Sequence, residues 1–399
     1  MTVTELPGSA ELAELAVGLA GLELVRVNLP RLEQVRAAHG TTPAARDLVL
    51  VRALGNDGVE GWGECSALEA PTYSGEHTDG AWIALRDLLG PAALAGRLDR
   101  VGGHPMAAAA VESALIDVAL QRSGRSLLDA LGGRHGQPMS WTLVAGIQSS
   151  PDVLVRDVIG DVFNSERDDP TWAWFPARTV KLKVAPGWDV AAVQVVRRAW
   201  PGLRVVVDAN GSYAGGDADH LARLARALAE DAYIEQPLPA ADLAGLGALA
   251  GRLDGRAIAL DESVGSADDV EAAARLGAGA LINLKPARVG GLRASLAVVG
   301  AARRAEPALG VFVGGMFESG VGRAVALALA ASVAVGATEI DLGPGGHYYD
   351  EGDDVVDLPR EGAGGDGVLA ALAVRPGIGV APSPERLAAV AVDRLRLRT

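Results

Sequence analysis

RVVVDAN at residues 204–210, YIEQ at 233–236 and AIALDE at 257–262 decide the fold. Each is a short β-rich run with a carboxylate at its end, and alanine-rich helical stretches separate them. The rhythm continues in both directions. Runs at 140–147 and 179–184 come before, and runs at 281–285, 311–315 and 339–342 follow, eight in all. Eight such runs with helices between them predict an α/β fold, a (β/α)8-type barrel, over residues 138–345. Ahead of it, strands at 22–27, 48–53 and 61–65, with an Asn56-Asp57-Gly58 turn, lead into helical patterns at 81–89 and 105–122. They predict a small α+β domain over 21–137. Residues 1–20 read as a loosely ordered leader. Residues 346–399 read as a C-terminal segment returning towards the small domain, with a last helix near 384–395. The stretch 160–178 reads as an insertion, and acidic 350–357 as a solvated loop.

Composition narrows the function. The chain has 399 residues, 49% of them hydrophobic, enough for a large core and more than one domain. A net charge of −14 argues against a nucleic-acid partner, which would require a basic face. No uninterrupted apolar run approaches a membrane span, so no membrane partner is expected. The single cysteine, Cys65, excludes an intrachain disulfide framework and fits a cytoplasmic setting.

In barrel enzymes the chemistry sits at the C-terminal ends of the strands. Here three consecutive runs end in Asp208, Glu235 and Asp261, at spacings of 27 and 26 residues. That is about one βα unit, so the acids fall on neighbouring staves. A single acid would be read as a salt bridge or helix cap. Three converging carboxylates repel, and a hard divalent ion relieves this; Mg²⁺ favours a few carboxylates plus water or substrate oxygens.

The chain contains only three lysines, Lys181, Lys183 and Lys285, against 33 arginines. Arginine does not readily lose its proton, whereas lysine does when buried near other cations. Lys181 and Lys183, two apart on one strand, point together into the barrel mouth. A proton next to a carboxylate is weakly acidic, because its loss adds a second negative charge. A metal stabilises that charge, and a lysine of lowered pKa takes the proton. Lys181 and the metal are expected to favour neutral Lys183, and Arg288 to depress Lys285. Lys285, on the sixth run, is expected to approach from the opposite face. Racemisation needs a base on each face; in a dehydration the second lysine stays charged and stabilises the intermediate.

These residues resemble the enolase superfamily, muconate-lactonising branch, and within it the o-succinylbenzoate synthase and N-acylamino acid racemase family. The motifs are Lys181-Leu-Lys183 with Pro186-Gly187-Trp188-Asp189, Val207-Asp208-Ala-Asn210, Ile234-Glu235-Gln236-Pro237 and Leu260-Asp261-Glu262-Ser263. Asn283-Leu-Lys285-Pro-Ala-Arg288, Gly314-Gly315-Met316-Phe-Glu318-Ser and, in the small domain, Gly61-Trp62-Gly63-Glu64-Cys65 and Tyr73-Ser-Gly-Glu extend the match. The resemblance implies a modified TIM barrel whose N-terminal α+β domain caps the mouth, using loops near His39 and Tyr73. It implies Lys183 and Lys285 as the acid/base pair, Lys181 on the substrate carboxylate, and Asp208, Glu235 and Asp261 on Mg²⁺, with Mn²⁺ as a substitute. Asn210, Glu262, Arg288, Gly315, Met316, Glu318 and Tyr73 are expected around the substrate or behind these groups.

The activity so implied is o-succinylbenzoate synthesis, a syn-dehydration of a cyclohexadiene carboxylate in menaquinone biosynthesis. The alternative is racemisation of N-acylamino (N-succinylamino) acids on the same residues; a dipeptide epimerase or a non-catalytic scaffold ranks lower. The expected partners are a small-molecule carboxylate and further copies of the chain. Two places depart from the family. Asp341-Leu-Gly-Pro344-Gly345-Gly346-His347 replaces a Pro-Gly-Asp-x-Ser-Ala-Ser pattern, and Val144-Ala145-Gly146 stands where a small polar residue is usual. Glu339-Ile-Asp341 bears a faint likeness to the Asp-x-Asp of dipeptide epimerases.

The lysine count itself is testable. An amine-acylating reagent has three side-chain targets plus the N-terminus, and is expected to inactivate the enzyme unless substrate and Mg²⁺ are present. Complete modification of the three lysines with turnover intact would remove them from the chemistry.

Overall fold

The computed structural model describes residues 6–98, 101–134, 140–159, 179–333, 339–341, 348–350, 352–356 and 372–398. The insertion expected at 160–178 lies outside these residues, as does His347. Largely buried strands form the capping sheet: β1 (Leu19–Pro30), β4 (Ala45–Gly55) and β5 (Glu60–Cys65), with a small hairpin of β2 (Arg36–Ala37) and β3 (Gly40–Thr41) between β1 and β4. β4 pairs antiparallel with both β1 and β5. The helix Pro105–Ser123 lies against β5 and stops at Gly124, which adopts φ 65°. Glycine on β5 permits that approach. A Cβ on Gly63 would stand 2.0 Å from the Ala110 carbonyl oxygen, and one on Gly61 2.2 Å from that of Ala114.

The barrel strands follow as β6 (Ser140–Ala145), β7 (Thr179–Lys183), β8 (Arg204–Asp208), β9 (Tyr233–Glu235), β10 (Ala257–Leu260), β11 (Leu281–Leu284), β12 (Gly310–Val313) and β13 (Glu339–Ile340). They form one parallel sheet in the order β12-β11-β10-β9-β8-β7-β6-β13. Its ends meet: Asp341 N donates to Val313 O at 2.9 Å and Gly315 N to Asp341 O at 3.1 Å. The eight runs expected from the sequence are therefore the eight staves of a barrel, and an N-terminal α+β domain covers it. No helix among the described residues is long and apolar enough to cross a membrane.

Three expectations are corrected. The helix expected near 384–395 is only Pro384–Val390; Ala391–Leu397 is a strand, β14, antiparallel to β1 at the edge of the capping sheet. The unpaired edge of β1 offered hydrogen bonds that outweigh the local helical pattern. Nor is the leader loose throughout, because Ser9–Val17 is a helix that buries Leu12 and Ala16 completely. In the acidic segment, Asp354 is buried and accepts from Gly320 N at 2.9 Å, capping the helix Gly320–Val333.

Gly63→Ala is expected to destabilise the fold by about 2–3 kcal/mol, since the helix backbone has to give way. Gly75→Ala, whose Cβ would meet nothing within 4 Å, serves as the control. Equal urea midpoints for the two variants would contradict the close packing.

Candidate active site

The parallel register brings the acids to one level. Lys183 stands opposite Asp208, and Asp208 opposite Glu235. Asp261 follows β10 directly and Lys285 follows β11. The chain then turns sharply, with Asn210 at φ 44° and Gln236 at φ 38°. Gln236 serves the neighbouring stave, its Oε1 accepting from Asp261 N at 3.0 Å and Ser263 N at 3.2 Å. The carboxylates of Asp208, Glu235 and Asp261 are wholly buried, and Lys181 and Lys285 nearly so.

Ammonium groups stand between the acids. Lys183 Nζ lies 2.6 Å from Asp208 and donates to Asn210 Oδ1 at 3.2 Å. Lys181 Nζ lies 3.2 Å from Glu235 and 3.7 Å from Asp208, and closely contacts Asp341. Lys285 Nζ donates to Asp261 at 2.7 Å and to the Tyr73 hydroxyl at 2.9 Å, and that hydroxyl donates on to Asp261 Oδ1 at 2.9 Å. Arg288 reaches Asp261 at 3.1 Å, and Asn210 Nδ2 donates to Glu262 at 3.0 Å.

The charges respond to this arrangement. Burial raises Glu235 to about 8; Lys181 opposes the rise, while Asp208, Asp341 and Asp261 add to it. Burial alone would raise Asp208 and Asp261 too. Lys183 and Lys181 outweigh it at Asp208, and Lys285 and Arg288 at Asp261, so both acids sit below the ordinary carboxylate range. Burial also drives Glu262 up to about 7, with Asp261 and Asp208 contributing. The expectation of a depressed Lys285 is corrected here. Burial would lower it, but Asp261 and Tyr73 hold the ammonium well above the lysine range. Arg288 bonds to the carboxylate that Lys285 also holds, rather than confronting the lysine.

The donor set suits a hard divalent cation. Three buried carboxylates stand at the ends of adjacent staves, Glu235 is strained towards protonation, and the buried oxygens Glu262 Oε2 and Asp341 Oδ1 lack a hydrogen-bond partner among the described residues. No three His, Cys, Asp or Glu side chains among the described residues are already set to hold a metal ion. The lysines serve as the carboxylates' counter-cations instead.

A pocket joins the two domains at this level. Lys181, Lys183, Asn210, Lys285 and Asp341 form its floor; His39, Leu68 and Tyr73 of the capping domain face Val144, Met316 and Tyr348 across it. Gly315 and Glu318 also line it, whereas Glu262 and Arg288 lie behind it. The sequence named Asp341 only through its faint Asp-x-Asp likeness and Asn283 only within a motif, and gave neither a role in the site. Asn283 donates to Glu235 at 2.8 Å and to Asp341 at 3.1 Å. Its signal was available, since it lies two residues before Lys285 and so shares its face. Asp341 is 160 residues from Lys181, and only ring closure brings them together.

Comparison with known proteins agrees with this geometry. The Enolase C-terminal domain-like family matches residues 173–386. The chain belongs to the enolase superfamily. It is 36% identical to an N-succinylamino acid racemase of Amycolatopsis over 92% of this chain and 96% of that one. It is 37% identical to an o-succinylbenzoate synthase of Geobacillus stearothermophilus, over 71% and 74%. A solved enolase superfamily member from Listeria innocua superimposes with a TM-score of 0.78 at 27% identity, covering 95% of this chain and 99% of that one. Members of the superfamily generally use Mg²⁺.

Glu235 generates a test. Its folded pKa is near 8, against an ordinary value of 4.5. Between those pH values the unfolded chain gives up the proton while the fold retains it, so rising pH costs the wild type stability. Glu235→Gln has no such proton. In EDTA its stability is expected to overtake that of the wild type as pH rises from 5 to 8, with a gain on the order of 2 kcal/mol. A urea midpoint for Glu235→Gln that fails to rise relative to that of the wild type over that range would contradict the strained carboxyl.

Proposed function

We propose that the protein removes the proton α to a carboxylate of a small-molecule substrate, using Lys183 and Lys285. The observation that carries this is positional: the only lysines in the chain flank three carboxylate-bearing staves and open into one pocket. Asp208, Glu235 and Asp261 hold Mg²⁺, or Mn²⁺ in its place. The bound ion supplies positive charge against the second negative charge that the substrate carboxylate gains. Asp208 accepts from Lys183 at 2.6 Å and Asp261 from Lys285 at 2.7 Å, so an ion held by these acids would compete with the lysines for the same oxygens. Lys181 orients the carboxylate, and Asn210 holds Lys183. Tyr73 closes the pocket from the capping side and keeps Lys285 in place.

The leading activity is o-succinylbenzoate synthesis, the syn-dehydration of a cyclohexadiene carboxylate in menaquinone biosynthesis. Lys183 takes the proton and, on the same face, returns it to the departing hydroxyl so that water leaves, while Lys285 stays charged to stabilise the intermediate. N-succinylamino acid racemisation is the second reading. It is favoured by the Amycolatopsis relative, which matches along nearly the whole chain, and by a lysine on either side of the acids. A dipeptide epimerase gains no support from Asp341, which is committed to Lys181 and Asn283. A non-catalytic scaffold is disfavoured because every lysine and acid of the set is present. We place the enzyme in the cytoplasm as a homo-oligomer.

The deciding measurement is proton NMR in D₂O, run with the cyclohexadiene acid and with each enantiomer of an N-succinylamino acid. Lys183→Ala and Lys285→Ala are each expected to lose turnover by on the order of 10²-fold or more, with arginine substitutions nearly as damaging. As a racemase, each mutant would still exchange one enantiomer with solvent. Undiminished exchange of both enantiomers by both mutants, or full activity in EDTA, would refute the assignment.

A further inference from the structure

Arg46, on β4, is wholly buried, yet most of its partners are neutral. A guanidinium has five N–H groups in a fixed plane, and here five backbone carbonyls receive them. On the capping side, Nη1 donates to Asp47 O at 2.9 Å and Ala67 O at 2.7 Å, and Nη2 to Ser66 O at 2.5 Å. On the barrel side, Nη2 donates to Met316 O at 3.2 Å and Nε to Phe317 O at 3.3 Å. Glu69 at 3.4 Å is its carboxylate neighbour.

The carbonyls belong to the two walls of the candidate active site. Ser66 and Ala67 begin the loop that carries Leu68 and Tyr73; Met316 and Phe317 lie on the loop after β12. The barrel wall is held in an unfavourable conformation, with Phe317 at φ 58°. Other contacts converge on the same residue: the hydroxyl of Tyr349, from the chain after β13, donates to Phe317 O at 2.7 Å, and the guanidinium of Arg31, from the capping domain, lies 5.2 Å from the Phe317 ring centre. Arg46 itself does not reach the pocket.

We propose that Arg46 is a positioning residue that sets the separation of these two walls, and so decides which substituents beside the reacting carbon the enzyme accepts. It acts on selectivity, not on the proton transfer at the pocket floor. The step from wall separation to selectivity rests on the α-proton reading; the link between Arg46 and the walls does not. Lysine in its place offers three donors from one point and cannot span five carbonyls.

The test uses Arg46→Lys and Arg46→Met in the full-length protein, with two readouts. In backbone hydrogen exchange of the ligand-free protein, segments 66–69 and 315–319 are expected to lose protection together, by roughly tenfold or more. In steady-state assays with N-succinylamino acids of small and large side chain, KM is expected to rise roughly tenfold and the kcat/KM ratio between the two substrates to change as much, with kcat on the better one within about threefold. Unchanged protection in a folded variant overturns the proposal. So does a fall in kcat with KM and the ratio unchanged. If neither variant folds, Tyr349→Phe, which removes the other side-chain donor to Phe317 O, is expected to loosen 315–319 alone; no change there overturns the proposal as well. Should the wild type turn over neither of these substrates nor the cyclohexadiene acid, the α-proton reading fails, and the exchange result still decides for or against Arg46.

Discussion

Mutual repulsion of three carboxylates, sealed from water at the ends of adjacent staves, is the constraint around which the rest of the site is arranged. The parallel register forces it, because pairing Asp208 with Glu235 leaves no freedom to stagger them. The outer acids, Asp208 and Asp261, each have an ammonium within 2.7 Å and stay ionised. Glu235 has an acid on either side and shares Lys181 with Asp341, so it is the one driven towards its protonated form. The same low-dielectric setting that makes the repulsion strong makes each lysine's contribution large. A cation entering here would relieve the acids and release the bases together.

Much of this was legible in the chain because it is local or periodic. Strand-end acids one βα unit apart, and two lysines two residues apart, are patterns that a short window contains. The barrel followed from the same windows. What could not be read depends on closure of the ring or docking of the domains. Lys181 and Asp341 meet only when β13 joins β12 and β6, and Arg46 meets Met316 across 270 residues. The segment 384–395 shows how tertiary context overrides a local pattern: its helical periodicity gave way to the edge of β1 once the chain had returned there. Asp354 is similar, an acid in an acidic run that becomes a helix cap when Gly320 is placed beside it.

The floor and the walls of the pocket are built differently. The pocket floor is built from barrel strand ends, on rigid backbone. Its walls come from His39, Leu68 and Tyr73 on one side and Val144, Met316 and Tyr348 on the other. Of these wall residues, Tyr73 is bonded to a lysine and an acid of the floor; substitutions at the others leave that floor in place. The departure at Val144 falls on the walls, while the floor motifs are intact.

The capping sheet takes strands from both sides of the barrel in the chain, β1 and β4 from before it and β14 from after it. During synthesis the lid therefore stays one strand short until the whole barrel has left the ribosome. Chains interrupted between the last barrel strand and residue 391 would carry the catalytic floor beneath a cap with an open edge. Such an edge invites strand exchange with a neighbouring nascent chain, so completeness of the polypeptide is checked by the cap rather than by the catalytic residues.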